Sequence, residues 1–322
     1  MERLNNQKLH FINCINYENV GDWLASPLNY FAEYFTGRYN IVVHDASFIK
    51  WNDIEPCDAV ILGGGGLLEN EPVMQEYINR ILDSCGCVIA WSVGFHRRSK
   101  EPCLPEVDYS RFALISIRDY DYPVKLDYVP CVTCLLPQLQ KKRTTKRDIG
   151  IINHTSIPIT GTKFDTIDNA AGIDAITDFI AESDSILTSS YHGAYWSLLM
   201  KKKTVISHVW ANKFEYFERK PAILTDPSAQ GLMNSFSSLD PKSYDGWLEE
   251  CIEHNLAFFE KVKDLLEGYI KNTNSAETIV NIMKQQAWAT SQLNTYANEL
   301  MRYAKLLADE QAARIDKLEG KR

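Results

Sequence analysis

Asp184-Ser-Ile-Leu-Thr-Ser-Ser-Tyr-His-Gly193, followed by Ala194-Tyr-Trp-Ser-Leu-Leu-Met200, is the stretch on which the fold turns. An apolar, strand-like start (Ile186, Leu187) stops at small hydroxyl residues. One His beside one Gly follows, and then a helix-like segment. A strand that ends where a helix begins is half of a parallel βαβ unit. The first N–H groups of such a helix lack intrahelical partners and sit at the positive end of its dipole, so the junction favours an anion. In open α/β sheets, ligands lie along that edge. His192 is therefore the first candidate for chemistry, against the plainer reading of a capping or packing histidine.

The same alternation runs outward in both directions. Upstream, strands are predicted at Leu9–Cys14, Tyr39–Val43, Cys57–Leu62, Cys87–Trp91 and Phe112–Ile117, with helices over 25–34 and Pro72–Ser84. Asn16–Trp23 reads as a polar loop. Gln138–Arg147 is basic and poor in apolar residues, which suits a solvated linker. A second series follows: strands at 148–153, Ser185–Thr188 and Thr204–Ser207, with helices over 171–183 and Tyr195–Met200. The expectation is an α/β protein of two Rossmann-like domains, 1–140 and 148–245, with an interdomain cleft. Such clefts are the usual place for small-molecule sites.

From about residue 246 the character changes. Residues 247–270 and 275–318 are helix-like, with apolar residues at three- and four-residue steps (Leu293, Ala297, Leu300, Tyr303, Ala304, Leu307). A helical extension over 246–322 is expected, able to form a coiled coil and a homo-oligomer. A membrane-surface helix is the rival, and the mixed charge of 299–322 argues against it.

Composition narrows the function classes. The 322 residues carry a formal charge of −8, which disfavours nucleic acid as a partner. No apolar run is long enough to span a bilayer, and the first residues do not read as a signal peptide, so a cytoplasmic protein is expected, with a peripheral position at the inner face of the membrane left open. Cys85-Gly-Cys87 and Cys131-Val-Thr-Cys134 have spacings that suit a zinc site, but both pairs fall in or beside predicted strands, where cysteine acts as a small buried hydrophobe. No paired carboxylates suggest a magnesium site, and neither metal nor cofactor is expected.

Four loops at strand ends carry the chemistry. Asn19-Val-Gly21-Asp22 precedes a helix, and Asp22 can cap it or hydrogen-bond a sugar hydroxyl. Gly63-Gly-Gly-Gly66 lets backbone N–H groups approach a ligand, and lacks the residues of a Walker A loop or a dinucleotide fingerprint. Ser116-Ile-Arg118-Asp119 offers a guanidinium to a carboxylate or phosphate, with a salt bridge to Asp119 or Asp121 as the plainer alternative. The Ser189–Gly193 run is the fourth. Lys213, in Ala211-Asn-Lys-Phe214, is a further cation.

In ordered register over residues 9–220 these motifs resemble the polysaccharide pyruvyl transferase family: Asn-x-Gly-Asp before the first helix, poly-Gly after Asp-x-Val-Ile-Leu, Ser-x-Arg-Asp, Ser-x-His-Gly and Asn-Lys-Phe. The resemblance implies a GT-B-like fold. It implies transfer of a pyruvyl group from phosphoenolpyruvate, as co-substrate, to two hydroxyls of a sugar in a surface-polysaccharide precursor, possibly a lipid-linked oligosaccharide. The products would be a cyclic ketal and phosphate. His192 would be the general acid/base. Arg118, Ser190, Gly193, Lys213, Gly64, Gly65 and Gly66 would hold the donor, and Asp22, His96, Arg97 and Arg98 the acceptor. Family members commonly place Arg where this chain has Ser190, so Arg118, Lys213, Arg97 or Arg98 would supply that charge. Two other readings stay open. One is a nucleotide-sugar-dependent GT-B glycosyltransferase, with Asp165, Asp168 or Asp174 facing the ribose. The other is a non-catalytic scaffold built around the C-terminal helix.

Overall fold

The structure, a computed structural model, describes residues 7–16, 18–99, 101 and 103–273. Residues 1–270 form one compact unit that contains two parallel sheets. The predicted helix over 275–318 lies outside the described residues.

The first sheet uses β1 (Lys8–Asn13), β2 (Asn40–Asp45), β3 (Ala59–Gly63), β4 (Cys87–Val93), β5 (Leu114–Ile117) and β6 (Asp127–Tyr128), in the order β2-β1-β3-β4-β5-β6. The second uses β7 (Arg147–Asn153), β8 (Asp165–Asp168), β9 (Ser183–Thr188), β10 (Lys203–Ile206) and β11 (Ala222–Ile223), in the order β8-β7-β9-β10-β11. Every pairing is parallel. Numbered within its own sheet, each begins 2-1-3-4-5, so the strand order reverses between β1 and β3 and again between β7 and β9. Central strands buried on both faces need continuous apolar runs, and β3 and β4 are buried at every position.

The helices are α1 (Val20–Leu24), α2 (Leu28–Thr36), α3 (Pro72–Ser84), α4 (Ile173–Ala181), α5 (Tyr191–Leu199), α6 (Ala229–Ser237) and α7 (Trp247–Thr273). The segment expected as a polar loop contains α1. Its Val20 and Leu24 enter the core of the second sheet beside Tyr191, Ala194 and Ile186. The core thus crosses the expected boundary near residue 140. Nor does the chain detach at 246. Trp247, Leu248 and Cys251 of α7 complete the second sheet's core, while its Phe258, Val262 and Leu266 pack with Phe11, Phe35 and Trp91 of the first.

Asn255, fully buried on α7, is the polar pin of this brace. Its amide donates to Pro130 O and Cys251 O, and its Oδ1 accepts from the Trp91 indole at 3.1 Å. Asn255→Leu keeps the volume but leaves the buried Trp91 N–H without an acceptor. It is expected to lower stability by about 1–3 kcal/mol in denaturant unfolding.

The basic 138–147 stretch is anchored rather than free. Lys141 pairs with Asp174 and Asp178, Arg143 with Asp178, and Lys146 and Arg147 with Glu182, all on or just after α4. The cysteine pairs occupy separate cores: Cys85 and Cys87 lie in the two clusters on the first sheet, Cys131 and Cys134 in the core of the second. No helix among the described residues is long and apolar enough to cross a membrane.

Candidate functional site

The residues singled out in sequence gather where carboxyl ends of strands from both sheets meet. Arg118 and Asp119 follow β5, the glycine turn follows β3, and His192 stands in the first turn of α5, after β9. The two lobes are joined here. Val20 N donates to Asn169 O at 3.2 Å, and the Asn169 side chain donates to Asn19 Oδ1. A Cβ at Gly21 would overlap the His192 ring, so the glycine of the first loop is the space that ring occupies.

His192 is buried, with Nδ1 3.7 Å from Asp22 Oδ1 and Nε2 3.6 Å from Cys131 Sγ. Burial holds its pKa well below the ordinary value, and Arg118 and Lys213 add to that effect. The resting ring is therefore neutral at pH 7. Asp22 accepts from Asn19 Nδ2 at 2.6 Å. It also faces Gly65, which brings the first loop and the glycine turn together.

Arg118 is the most telling side chain. It is 3% exposed, and its Nε and Nη1 have no hydrogen-bond partner among the described residues. Its Cζ lies 4.0 Å from the centre of the Tyr191 ring, at the start of α5. A guanidinium stays charged even when buried, and burying unpaired charge is costly. The alternative, a salt bridge to Asp119, is not made among the described residues: Asp119 Oδ2 accepts from Phe95 N at 2.7 Å and Oδ1 is left over. Burial raises the Asp119 pKa to about 6, against the pull of Arg118. Gly94 leaves room for the guanidinium, because a Cβ there would overlap Nε.

Lys213 is also buried. It makes no hydrogen bond or ion pair among the described residues, and its Nζ lies 4.2 Å from the centre of the Trp210 ring. Burial lowers its pKa to about 7, opposed by Asp22 and aided by Arg118. Above pH 7 the empty site holds Lys213 largely neutral, and a bound polyanion restores its charge. Between pH 7 and its ordinary value of 10.5, anion binding must take up a proton. Phosphate titrated calorimetrically at about pH 8.5, where it is already almost wholly the dianion, is expected to show a heat that varies with the buffer's ionisation enthalpy. Lys213→Met is expected to remove that dependence.

The backbone contributes selectively. Gly64 and Gly65 adopt left-handed φ values of +43° and +76° that favour glycine. Gly64 N is engaged by Trp91 O at 3.0 Å, whereas Gly65 N and Gly66 N donate to nothing among the described residues. Ser190 caps α5: its Oγ accepts from Gly193 N at 3.2 Å. That bond engages Ser190 and Gly193 with each other, and leaves the N–H groups of Tyr191 and His192 as the open donors of the turn.

The 96–98 loop divides in role. Arg97 is held by Glu69 (3.1 Å) and Tyr122, and its backbone bonds Asn212 of the second lobe in both directions. Arg98 is exposed and lies above Trp210, with Nε donating to His96 Nε2 at 3.4 Å. Burial and the neighbouring cations depress the His96 pKa to about 2. Of the three acids considered for a ribose, Asp165 pairs with Arg147 and Asp174 with Lys141, while Asp168 caps its own turn through Ala170 N.

Cys131, Asn169, His154 and Trp210 also belong to the site and were not singled out as such in sequence. Trp210 donates to Ser189 O, and the rings of His96 and His154 meet it edge-on. The arrangement is a cluster of cations and backbone donors beside a neutral imidazole and a carboxylate. It can bind a polyanion and move a proton next to it. No protein-family model matches the chain, and no curated protein matches it.

Proposed function

We propose that this site transfers a pyruvyl group from phosphoenolpyruvate to two hydroxyls of a sugar, on a GT-B-like pair of domains. The observation that carries the reading is the buried Arg118 guanidinium, with Nε and Nη1 unpartnered, at the start of the helix that bears His192. Phosphoenolpyruvate brings a carboxylate and a phosphate. Arg118, Lys213, Gly65 N, Gly66 N and the first N–H groups of α5 are the donors available for them. Arg118 lies over the ring of Tyr191, the residue after Ser190, and in this reading would supply the charge that the family commonly draws from an arginine at the Ser190 position.

Protonation of the donor's methylene carbon makes its C2 electrophilic. One sugar hydroxyl adds there, phosphate leaves, and a second hydroxyl closes the ketal. The net change forms two C–O bonds at C2, breaks the C2–O bond to phosphate, and transfers hydroxyl protons to the methylene carbon and the leaving group. His192 and Asp22 are the proton-handling pair in this reading. Asp22, His96 and Arg98 would face the acceptor sugar.

The glycosyltransferase reading uses the same cleft, but Asp165 and Asp174 are already ion-paired. Thermal shift separates the two. Phosphoenolpyruvate is expected to raise the melting temperature by an amount that grows with the logarithm of its concentration above Kd, and nucleoside diphosphate sugars to leave it unchanged. The opposite pattern would sink the proposal.

A further inference from the structure

The two ring nitrogens of His192 face different partners, and a chain of hydrogen bonds behind one of them has a fixed direction. Trp196 Nε1 donates to Thr133 Oγ1 at 3.1 Å. An indole N–H is a donor only, so the chain cannot run the other way at this end. The Thr133 hydroxyl, having accepted, donates its one proton to Cys131 Sγ at 3.3 Å. Cys131 is 1% exposed and its Sγ lies 3.6 Å from His192 Nε2. Having accepted from Thr133, the thiol has its own S–H left to give. Given to Nε2, that proton makes Nε2 the unprotonated nitrogen. At the other side of the ring, Nδ1 faces Asp22 Oδ1 at 3.7 Å, and a carboxylate oxygen accepts. A donor-only group at one end and a carboxylate at the other favour the same polarity throughout.

We propose that Cys131 is a positioning residue that holds neutral His192 with its proton on Nδ1, the nitrogen facing Asp22. The Tyr195 hydroxyl fixes the segment by donating to Cys131 O at 3.1 Å, so the thiol is presented at a set place. Burial and the nearby Arg118 and Lys213 disfavour the imidazolium, which keeps the chain in its neutral form. The consequence for catalysis rests on the reading of His192 as acid/base. In that reading the ring offers Asp22 a proton rather than a lone pair, and the group that accepts a hydroxyl proton on this side is Asp22. Cys131 does not act as a nucleophile here, because it lies behind the ring and is closed to solvent.

The tautomer can be read without turnover. In ¹⁵N NMR of protein labelled at histidine, the His192 signals are those lost in His192→Gln. Wild type is expected to show a protonated Nδ1 and an unprotonated Nε2 at pH 7. Cys131→Ala removes the donor and is expected to move His192 toward the Nε2–H form, while Cys131→Ser retains a donor and restores the wild-type pattern. Thr133→Val, one link further back, is expected to shift the tautomer in the same direction as Cys131→Ala, and serves if that variant does not fold. A protonated Nε2 in wild type, or a tautomer unmoved in the variants that fold, would overturn the proposal. Because phosphoenolpyruvate plays no part in the readout, this result is independent of the donor's identity.

Discussion

Arg118→Met is expected to remove anion binding and, at the same time, to leave the unliganded protein as stable as wild type or more so. The two effects have opposite signs for one physical reason. The guanidinium is buried with Nε and Nη1 unpartnered, so the empty site bears its desolvation cost without the compensating bonds. Replacing buried charge with an apolar side chain of similar reach is often neutral or stabilising by about 1–4 kcal/mol. The usual penalty, a stranded counter-charge, is small here. Asp119 already has its pKa raised to about 6 by burial, and loss of Arg118 lets it take up a proton and become neutral. With ligand the balance reverses. Loss of one member of a buried, hydrogen-bonded charge pair costs about 2–5 kcal/mol, roughly 30- to several-thousand-fold in affinity. Melting curves with and without phosphoenolpyruvate test both halves. A lower melting temperature with a retained ligand shift would show that Arg118 is a structural cation.

Gly21→Ala is expected to cut turnover by about 100-fold or more, because a small misplacement of a reacting group has effects of that size. Alanine is the better helix former, and by propensity alone the change in α1 would stabilise by about 1 kcal/mol. The loss is expected instead from geometry. The new Cβ would occupy the volume of the His192 ring, so either the imidazole turns away from Asp22 and Cys131 or α1 lifts off the second lobe. The second movement breaks the Val20–Asn169 and Asn169–Asn19 bonds. Gly268→Ala is the matched control, since a Cβ there meets nothing within 4 Å. It is expected to preserve turnover and gain a fraction of a kcal/mol. Unimpaired turnover in Gly21→Ala would mean that the His192 ring need not hold its place.

Much of the fold is legible in sequence because central parallel strands are buried on both faces. Ala59–Gly63 and Cys87–Val93 read as unbroken apolar runs for that reason. What escapes lies at the margins. β8 (Asp165-Thr-Ile-Asp) is a polar edge strand with one apolar residue, and α6 is a short Ser-, Gln- and Asn-containing helix that buries only Gly231, Leu232 and Phe236. The start of α5 is buried all round, so no periodicity marks where it begins. α1 has only five residues and depends on packing in the second sheet's core, a contact no local pattern announces. The acidic face of α4 explains the basic stretch before β7, but only once the two are side by side.

The site divides along the same line. His192, Arg118, Lys213 and the glycine turn could be singled out because each follows a strand. Cys131 and Asn169 gain their roles only when the lobes meet. Ser190, marked as a departure from an arginine, proves to be the cap of α5. Arg97, named with Arg98 for the acceptor and for the charge missing at Ser190, is engaged by Glu69.

The proposed conversion of phosphoenolpyruvate and a sugar into a ketal is tested by incubating the protein with ¹³C-labelled phosphoenolpyruvate and a panel of hexose-containing acceptors, then reading the glycans by NMR and mass spectrometry. Label is expected at a quaternary ketal carbon on the glycan, with a mass gain of one pyruvate less one water and an equal amount of free phosphate. Label that stays in phosphoenolpyruvate, with the same panel glycosylated when a nucleotide sugar is supplied, would contradict it.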